Sequence, residues 1–367
     1  MTTAARHPCV SDAVARLPRV VDLLAARAQE HDRDACFPYQ GIEAVHEAGL
    51  LTLTVAERYG GAAGGLADTV RVLVELGRGD PSVALVTALT LLTHAEQARA
   101  PYWPEAAYAE LLADSARGPA LVGLLGPEPT LGDASVVARR EDGFWRLTGR
   151  RSCVPGAEAL AWMAVSARTD EDEPRELVFL VQGDTPGVQV EPTWDQLGLR
   201  ATASHDVLFD GVLVAADAVV AQQATLGALW CDLALPAVYL GVAQAARDWL
   251  VRSLHTPLPE SLDALHHAAL GRVEIELVGA EELLLSLARQ VDAGDPRAAD
   301  RTGAVRLLVT RAAIGAVEHA VALSGSGGLS RAHPLERHLR DVQHARLQGP
   351  HEHEILTTAG RRALQGR

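Results

Sequence analysis

The chain predicts an α+β protein of three parts: an N-terminal α-helical domain over residues 1–118, a central antiparallel β-domain over 119–223 and a C-terminal four-helix-bundle domain over 224–367. Three observations carry this. Apolar residues recur at helical spacing through roughly the first third of the chain, the pattern breaks near Pro119 into short β-branched runs, and helical spacing returns after Ala224. Apolar residues make up 48% of the sequence and aromatics only 4%, so the interior must be built from Ala, Leu and Val, which suits close helix packing. At 367 residues the chain exceeds what one core normally holds.

Taken in order, VARLPRVVDLLAARAQEHDRD and YQGIEAVHEAGLLTL are amphipathic helices. TVRVLVELGRGDPSVALVTALTLLTHAEQA is two helices separated by a break, where Asp80 caps the second and Pro81 occupies its first turn. The runs ALVGLLGPEP, SVVARRE, FWRLTGRRSCV, AWMAVSAR, ELVFLVQ, VQVEPTW and SHDVLFDGVLV are strands, with the charged tract from Thr169 to Arg175 as a solvated hairpin loop. LALPAVYLGVAQAARDWLVRSL is apolar nearly all round in its first half, which predicts a central buried helix. ALGRVEIELVGAEELLLSLARQVDAG, AVRLLVTRAAIGAVEHAVALSGSGG and a last segment from Ile355 to Leu364 complete the bundle.

Composition excludes several functions. The net charge of −14 argues against a nucleic-acid partner, since phosphate binding needs clustered cations. All 33 basic residues are Arg, so no lysine can form a Schiff base. Cys9, Cys36, Cys153 and Cys231 are scattered without metal-ligand spacing and read as buried free thiols. His351 and His353 flank Glu352, but alternate positions on a helix point to different faces, which disfavours a metal site. The stretch Leu233 to Ala243 is shorter than the ~20 residues of a membrane span, and no secretory signal is evident, so a cytoplasmic protein is expected. No dinucleotide, P-loop, nucleophile-elbow or zincin motif occurs.

Four separated motifs resemble the acyl-CoA dehydrogenase superfamily. They are AERYGGAAGG, GRGDPSVAL, the run WDQLGLRAT followed by FDGVLV, and GGLSRAHPLERHLRDVQ. The resemblance implies FAD in a cleft between the β-domain and the helices, an acyl thioester or related small molecule as substrate, and a homodimer or homotetramer. The matching positions for flavin contact are Glu128, Pro129, Gly132 and Asp133 in one strand turn, Val154 and Gly156 in the next, and Gly325 and Gly328 in the glycine cluster. Three glycines among Gly325 to Gly328 suggest a nearby ligand or partner chain. In PLERHLRD, Glu336 with Arg340 and Arg337 with Asp341 are spaced as helical ion pairs.

The departures are equally specific. Family dehydrogenation needs a Glu to take the α-proton while hydride leaves for the flavin. The family's E-G-T segment matches Gln348-Gly349-Pro350, and the alternative base position on the central helix falls at Cys231 and Asp232. Asp232 is then either a relocated base or a helix cap, and Glu352 is a further substitute one turn beyond Gln348. The flavin-facing hydroxyls become Pro127 and Pro155, leaving the Gly156 amide as a donor. The R-x-x-F-G that reaches a neighbour's FAD is absent after Arg252, and its partner Gln is Ala322. The expectation is a divergent flavin-dependent oxidoreductase of specialised metabolism; the alternative is a flavin-free member that catalyses a non-redox step or binds.

Overall fold

Among the described residues, helices dominate from Val10 to Arg117 and again from Thr225, and every strand lies between Leu121 and Val220. The computed structural model describes residues 9–126, 136–220, 225–254 and 260–365. The first helical layer comprises α1 (Val10–Asp34), α2 (Tyr39–Glu47), α3 (Leu66–Gly79), α4 (Pro81–Arg99) and α5 (Glu105–Arg117). As the sequence predicts, Asp80 caps α4, its carboxylate accepting from Ser82 N at 2.8 Å with Pro81 next to it. The AERYGGAAGG segment folds back on the chain, with Ala63 N and Gly64 N donating to Val55 O and Leu53 O. Gly65 has no side chain to cap α3, so a distant residue does: Asp292 accepts from Leu66 N and Ala67 N at 2.7 and 2.9 Å.

The β-domain holds β1 (Leu121–Leu125), β2 (Val137–Glu141), β3 (Phe144–Arg151), β4 (Leu160–Thr169), β5 (Glu176–Gln182), β6 (Val188–Glu191), β7 (Asp206–Ala215) and β8 (Val219–Val220). They form one sheet in the order β6-β7-β3-β2-β4-β5-β8. The sheet is antiparallel except at β4, which pairs in parallel with β1 along its first half and with β2 at its last two residues. The charged tract ending at Arg175 is the β4–β5 turn.

The C-terminal part comprises α6 (Thr225–Ser253), α7 (Glu260–Asp292), α8 (Thr302–Ser324), α9 (Leu335–Val342) and α10 (Glu352–Leu364). Helix α6 is the axis of the molecule. Leu233, Ala234, Ala237, Val238, Leu240, Val242 and Ala243 are sealed from solvent. Its crossing with α3 is unusually close because two glycines face backbone: a Cβ on Gly77 would lie 2.3 Å from Val238 O, and one on Gly241 would lie 2.1 Å from Val74 O. Two stretches, Ala228–Ser253 and Ala299–Leu329, are long and apolar enough to cross a membrane; both belong to helices of the bundle, and the window in the first is 72% buried within the protein.

Some expectations fail. Cys9, Cys36 and Cys153 are exposed, and only Cys231 is shielded, because the first three sit at a helix start and in loops rather than on apolar faces. Glu336 does pair with Arg340, at 2.8 Å. The Asp341 carboxylate instead accepts from Leu199 N at 2.7 Å, and among the described residues the buried Nε and Nη1 of Arg337 have no hydrogen-bond partner.

Candidate active site

Two of the sequence motifs meet, and their meeting joins the domains. The WDQLGLRAT turn docks on α9. Trp194 Nε1 donates to Leu199 O at 3.0 Å, and the Gly198 Cα lies so close to the chain that an added Cβ would be 2.4 Å from Arg340 O. Arg340 grips both carboxylate oxygens of Asp32 at 2.9 and 2.6 Å and also donates to Leu197 O. Arg200 Nε donates to Asp32 O at 2.9 Å, so α1, the β-domain turn and α9 share one anchor. Asp341 beneath this joint is fully buried, and desolvation, opposed by Arg337, pushes its carboxyl up to about 7. This joint sets the position of the segment that follows α9, which carries Gln348.

Around Gln348 the central helix supplies a polar cluster. Gln348 Nε2 donates to Tyr239 Oη at 3.1 Å. Tyr239 is buried on α6, and burial pushes its phenol far above the ordinary range, so it stays protonated. The main-chain carbonyl of Gln348 accepts from Arg306 Nη2 at 2.8 Å. Arg306, on α8, also meets Asp232 Oδ1 at 3.3 Å, while Thr302 Oγ1 donates to Asp232 Oδ2 at 2.9 Å. Burial lowers the Arg306 pKa and Asp232 opposes that shift. Asp232 lies two turns inside α6 and is therefore not its N-cap. Cys231 beside it is desolvated, and Glu96 adds to that, so its thiol is pushed up to about 12 and remains a neutral thiol. Glu96, on α4, accepts from Tyr102 Oη at 2.9 Å, and neighbouring Arg99 stacks 4.2 Å from the Trp230 ring.

Gln348 lines a cavity of about 740 Å³ between α8, the segment after α9 and α10. Leu307, Ile314 and Leu356 give it apolar walls, and Arg311 and Arg346 line it paired with Glu352 and Glu318. Glu352 is at its edge on the surface, bound to Arg311 at 2.6 Å, and that contact holds its carboxyl below the ordinary range. The His351 and His353 rings lie nearly parallel, 6.1 Å apart, rather than on opposite faces, because His351 precedes α10 as its N-cap. Among the described residues no group of three His, Cys, Asp or Glu side chains is placed to hold a metal ion.

The expected flavin contacts divide. Glu128, Pro129, Gly132 and Asp133 lie outside the described residues. Val154 N donates to His205 O at 2.9 Å and Gly156 N to Thr202 O at 2.8 Å, so the amide expected to serve a flavin edge is spent inside the protein. Gly156 has φ +69°, and its Cα faces Val86 and Phe37 of the N-terminal helices. In the glycine cluster, Gly325 ends α8 with φ +56° and Gly328 packs against Val321 O, so the fold itself accounts for these two; a Cβ on Gly327 would meet open space. Sequence reading located Gln348 and Asp232 but missed Tyr239, Arg306, Thr302 and Glu96. The one available hint was that each is a polar residue on a helix that otherwise reads as core.

Family models describe the whole frame. The acyl-CoA dehydrogenase N-terminal domain matches residues 18–101, the middle domain 129–212 and the C-terminal domain 233–351. The putative acyl-CoA dehydrogenase YdbM of Bacillus subtilis is 31% identical over 353 residues, covering 91% of this chain and 92% of that protein. The amino sugar nitrososynthase DnmZ of Streptomyces peucetius is 29% identical over 365 residues, covering 91% and 88%. Among solved structures, KijD3 in complex with FMN and dTDP-3-amino-2,3,6-trideoxy-4-keto-3-methyl-D-glucose superposes with a TM-score of 0.86 at 28% identity, over 99% of this chain and 95% of that one.

Proposed function

The chain belongs to the acyl-CoA dehydrogenase family of flavin-dependent oxidoreductases, and from that premise we propose that it is a flavin-dependent N-oxygenase acting on the amino group of a small molecule, of the amino-sugar class, rather than a desaturase of acyl thioesters. One observation carries this reading. Position 348, where dehydrogenation would need a carboxylate, holds an amide tied to Tyr239, and nearby Asp232 is already engaged by Arg306 and Thr302. Oxygen transfer to nitrogen needs no carbon-acid base, and relatives named as nitrososynthases match nearly the whole chain.

Among the described residues and in the sequence, a flavin would find few of the family's usual polar anchors. Val154 and Gly156 have spent their amide protons, Pro127 and Pro155 offer none, and Ala322 replaces the family's distal Gln. Without the groups that reach the adenine half, FMN suffices, and an exchangeable flavin suits this site better than a resident FAD. When bound in its reduced form, the flavin supplies two electrons to dioxygen and one oxygen atom to the amine, the other leaving as water. The balance is R-NH2 + O2 + reduced flavin → R-NHOH + H2O + oxidised flavin. The protein's own contribution is to hold the amine, exclude water and keep the Gln348 segment fixed through Arg306 and Tyr239.

Equilibrium titration with FMN and with FAD, followed by flavin fluorescence, tests the cofactor. We expect reversible binding in which FAD gains nothing over FMN. Retention of FAD through gel filtration would overturn the exchangeable-flavin reading, and no binding of either flavin would favour a flavin-free role. Supplying reduced FMN, oxygen and a nucleotide-linked amino sugar should yield a hydroxylamine detectable by mass. An α,β-desaturated acyl-CoA as the only product from any substrate would overturn the function.

A further inference from the structure

We infer that the outer face of α7 is a self-association surface: it packs antiparallel against the α7 of a second copy of this chain, in a register that sets Arg272 beside the partner's Glu282 and Glu282 beside the partner's Arg272. Nothing in this depends on the flavin chemistry proposed above.

Helix α7 is 33 residues long and has two unlike sides. Val273, Leu277, Ala280, Leu284, Leu287 and Ala288 are buried in the bundle. The charges beside them have partners within the chain: Glu274 holds Arg247 at 2.6 Å, and Glu281 accepts from Gln244 Nε2 at 3.0 Å. The opposite side presents Ala268, Arg272, Ile275, Gly279, Glu282 and Ser286, all exposed, spaced alternately by four and three residues. At that spacing the six fall within about 40° of one line along the helix, the seam of a two-helix pair. Among the described residues Arg272 and Glu282 have no ion-pair or hydrogen-bond partner for their side chains. Ile275 is 76% exposed and Val278 57%, and among the described large hydrophobic residues only Leu364 near the C-terminus exceeds Ile275. The strip continues onto α8. Glu276 stands 3.7 Å from where a Cβ on Gly315 would lie, and two turns further along both helices the exposed Leu283 and Leu308 come level.

The pattern of charge and size names the occupant. A second α7 laid antiparallel about a two-fold axis midway between Ile275 and Gly279 places Ile275 over the partner's Gly279, Arg272 beside the partner's Glu282 and Ala268 beside the partner's Ser286. Each contact then occurs twice, as a two-fold interface requires. The bulky Ile275 meets a seam position that has no side chain and that nothing else in the chain approaches within 4 Å. Each cation meets an anion. Parallel packing does the reverse, setting Arg272 against the partner's Arg272 and Glu282 against the partner's Glu282, and like charges across an interface suppress association. A chain of net charge −14 repels its own copies in general, so a face where that repulsion is cancelled locally and apolar side chains lie on the seam is where two copies can meet.

The experiment measures the solution mass of the full chain by light scattering on gel filtration, from low to high micromolar concentration. Wild type should appear at a multiple of the 38.9 kDa chain mass. Arg272→Glu and Glu282→Arg should each weaken association about 100-fold or more, because each sets like charges together at two symmetric points. The loss counts equally whether dimer falls to monomer or tetramer to dimer. The double variant Arg272→Glu with Glu282→Arg has the wild-type net charge and restores both attractions, so it should associate like wild type. Ile275→Glu should dissociate the same interface, and circular dichroism checks that each variant keeps its helix content. If a reversal does not fold, Ile275→Glu alone tests the face. A monomeric wild type overturns the inference. So does an oligomer whose mass none of the single variants lowers, or a double variant that does not reassemble where both single variants came apart.

Discussion

Replacing Asp232 by Asn separates the two roles that this carboxylate could fill, because a base and a structural counter-ion give opposite signatures. The side chains of Arg306 and Asp232 are 4% and 16% exposed, so their pairing is nearly desolvated. Removing one partner of such a pair leaves an uncompensated buried charge, at a typical cost of about 3–5 kcal/mol. Arg306 retains its contact with Gln348 O, and Asn retains an acceptor for Thr302, so a cost near the low end, about 3 kcal/mol, is expected. For a chain of this size that lowers Tm by roughly 4 °C, followed by calorimetry or dye fluorescence. Replacing both residues, Asp232→Asn with Arg306→Met, should recover most of the loss, since no cation is then left unpaired. Turnover of Asp232→Asn should fall only modestly, through looser seating of Gln348. The reasoning is refuted if Tm is unchanged while turnover falls more than about 100-fold and recovers as pH rises, the behaviour of a lost general base.

Two further perturbations test the frame. His94 is completely buried against Tyr108 Oη at 3.0 Å, and desolvation depresses its pKa to about 4. The unfolded chain protonates this residue near its ordinary value of about 6.5, so between about pH 6.5 and about 4 the unfolded state binds more protons and stability is lost as pH falls, by up to about 1.4 kcal/mol per unit. His94→Gln should flatten that part of a Tm-against-pH curve; an unaltered slope would show that His94 does not contribute. Gly241→Ala should force α3 and α6 apart at a cost of about 1–3 kcal/mol or more, whereas Gly271→Ala, which meets nothing within 4 Å on α7, should stabilise by up to about 1 kcal/mol. Equal Tm values for these two variants would refute the close-crossing argument.

The family fold and the order of its parts are legible in one dimension. Capping at Asp80 and Pro81, the apolar run of α6 and the Glu336–Arg340 spacing are local signals, each confined to a few turns, and each appears in the structure as read. Arg337 and Asp341 show the limit of such reading. Their spacing matches that of Glu336 and Arg340, yet Asp341 bonds to Leu199, more than a hundred residues away, because the docked β-domain turn presents an amide there. The cysteines and the paired histidines mislead for a related reason. Composition cannot say which side of a loop faces solvent, and helical-face arithmetic does not apply to His351, which stands outside its helix.

The sequence by itself determined that a helical, a β and a second helical part follow one another and that they resemble a flavin-enzyme family, a resemblance that implies a carboxylate at the position of Gln348. Only the tertiary structure decided what Gln348 and Asp232 touch. Their partners, Tyr239, Arg306 and Thr302, are separated from them by tens of residues or more, and no spacing rule connects them. Periodicity records which face of each segment leaves water. Which polar groups then meet depends on how closely packed helices bring their backbones together, and that distance is set at crossings such as Gly77 against Val238, far from the residues it serves.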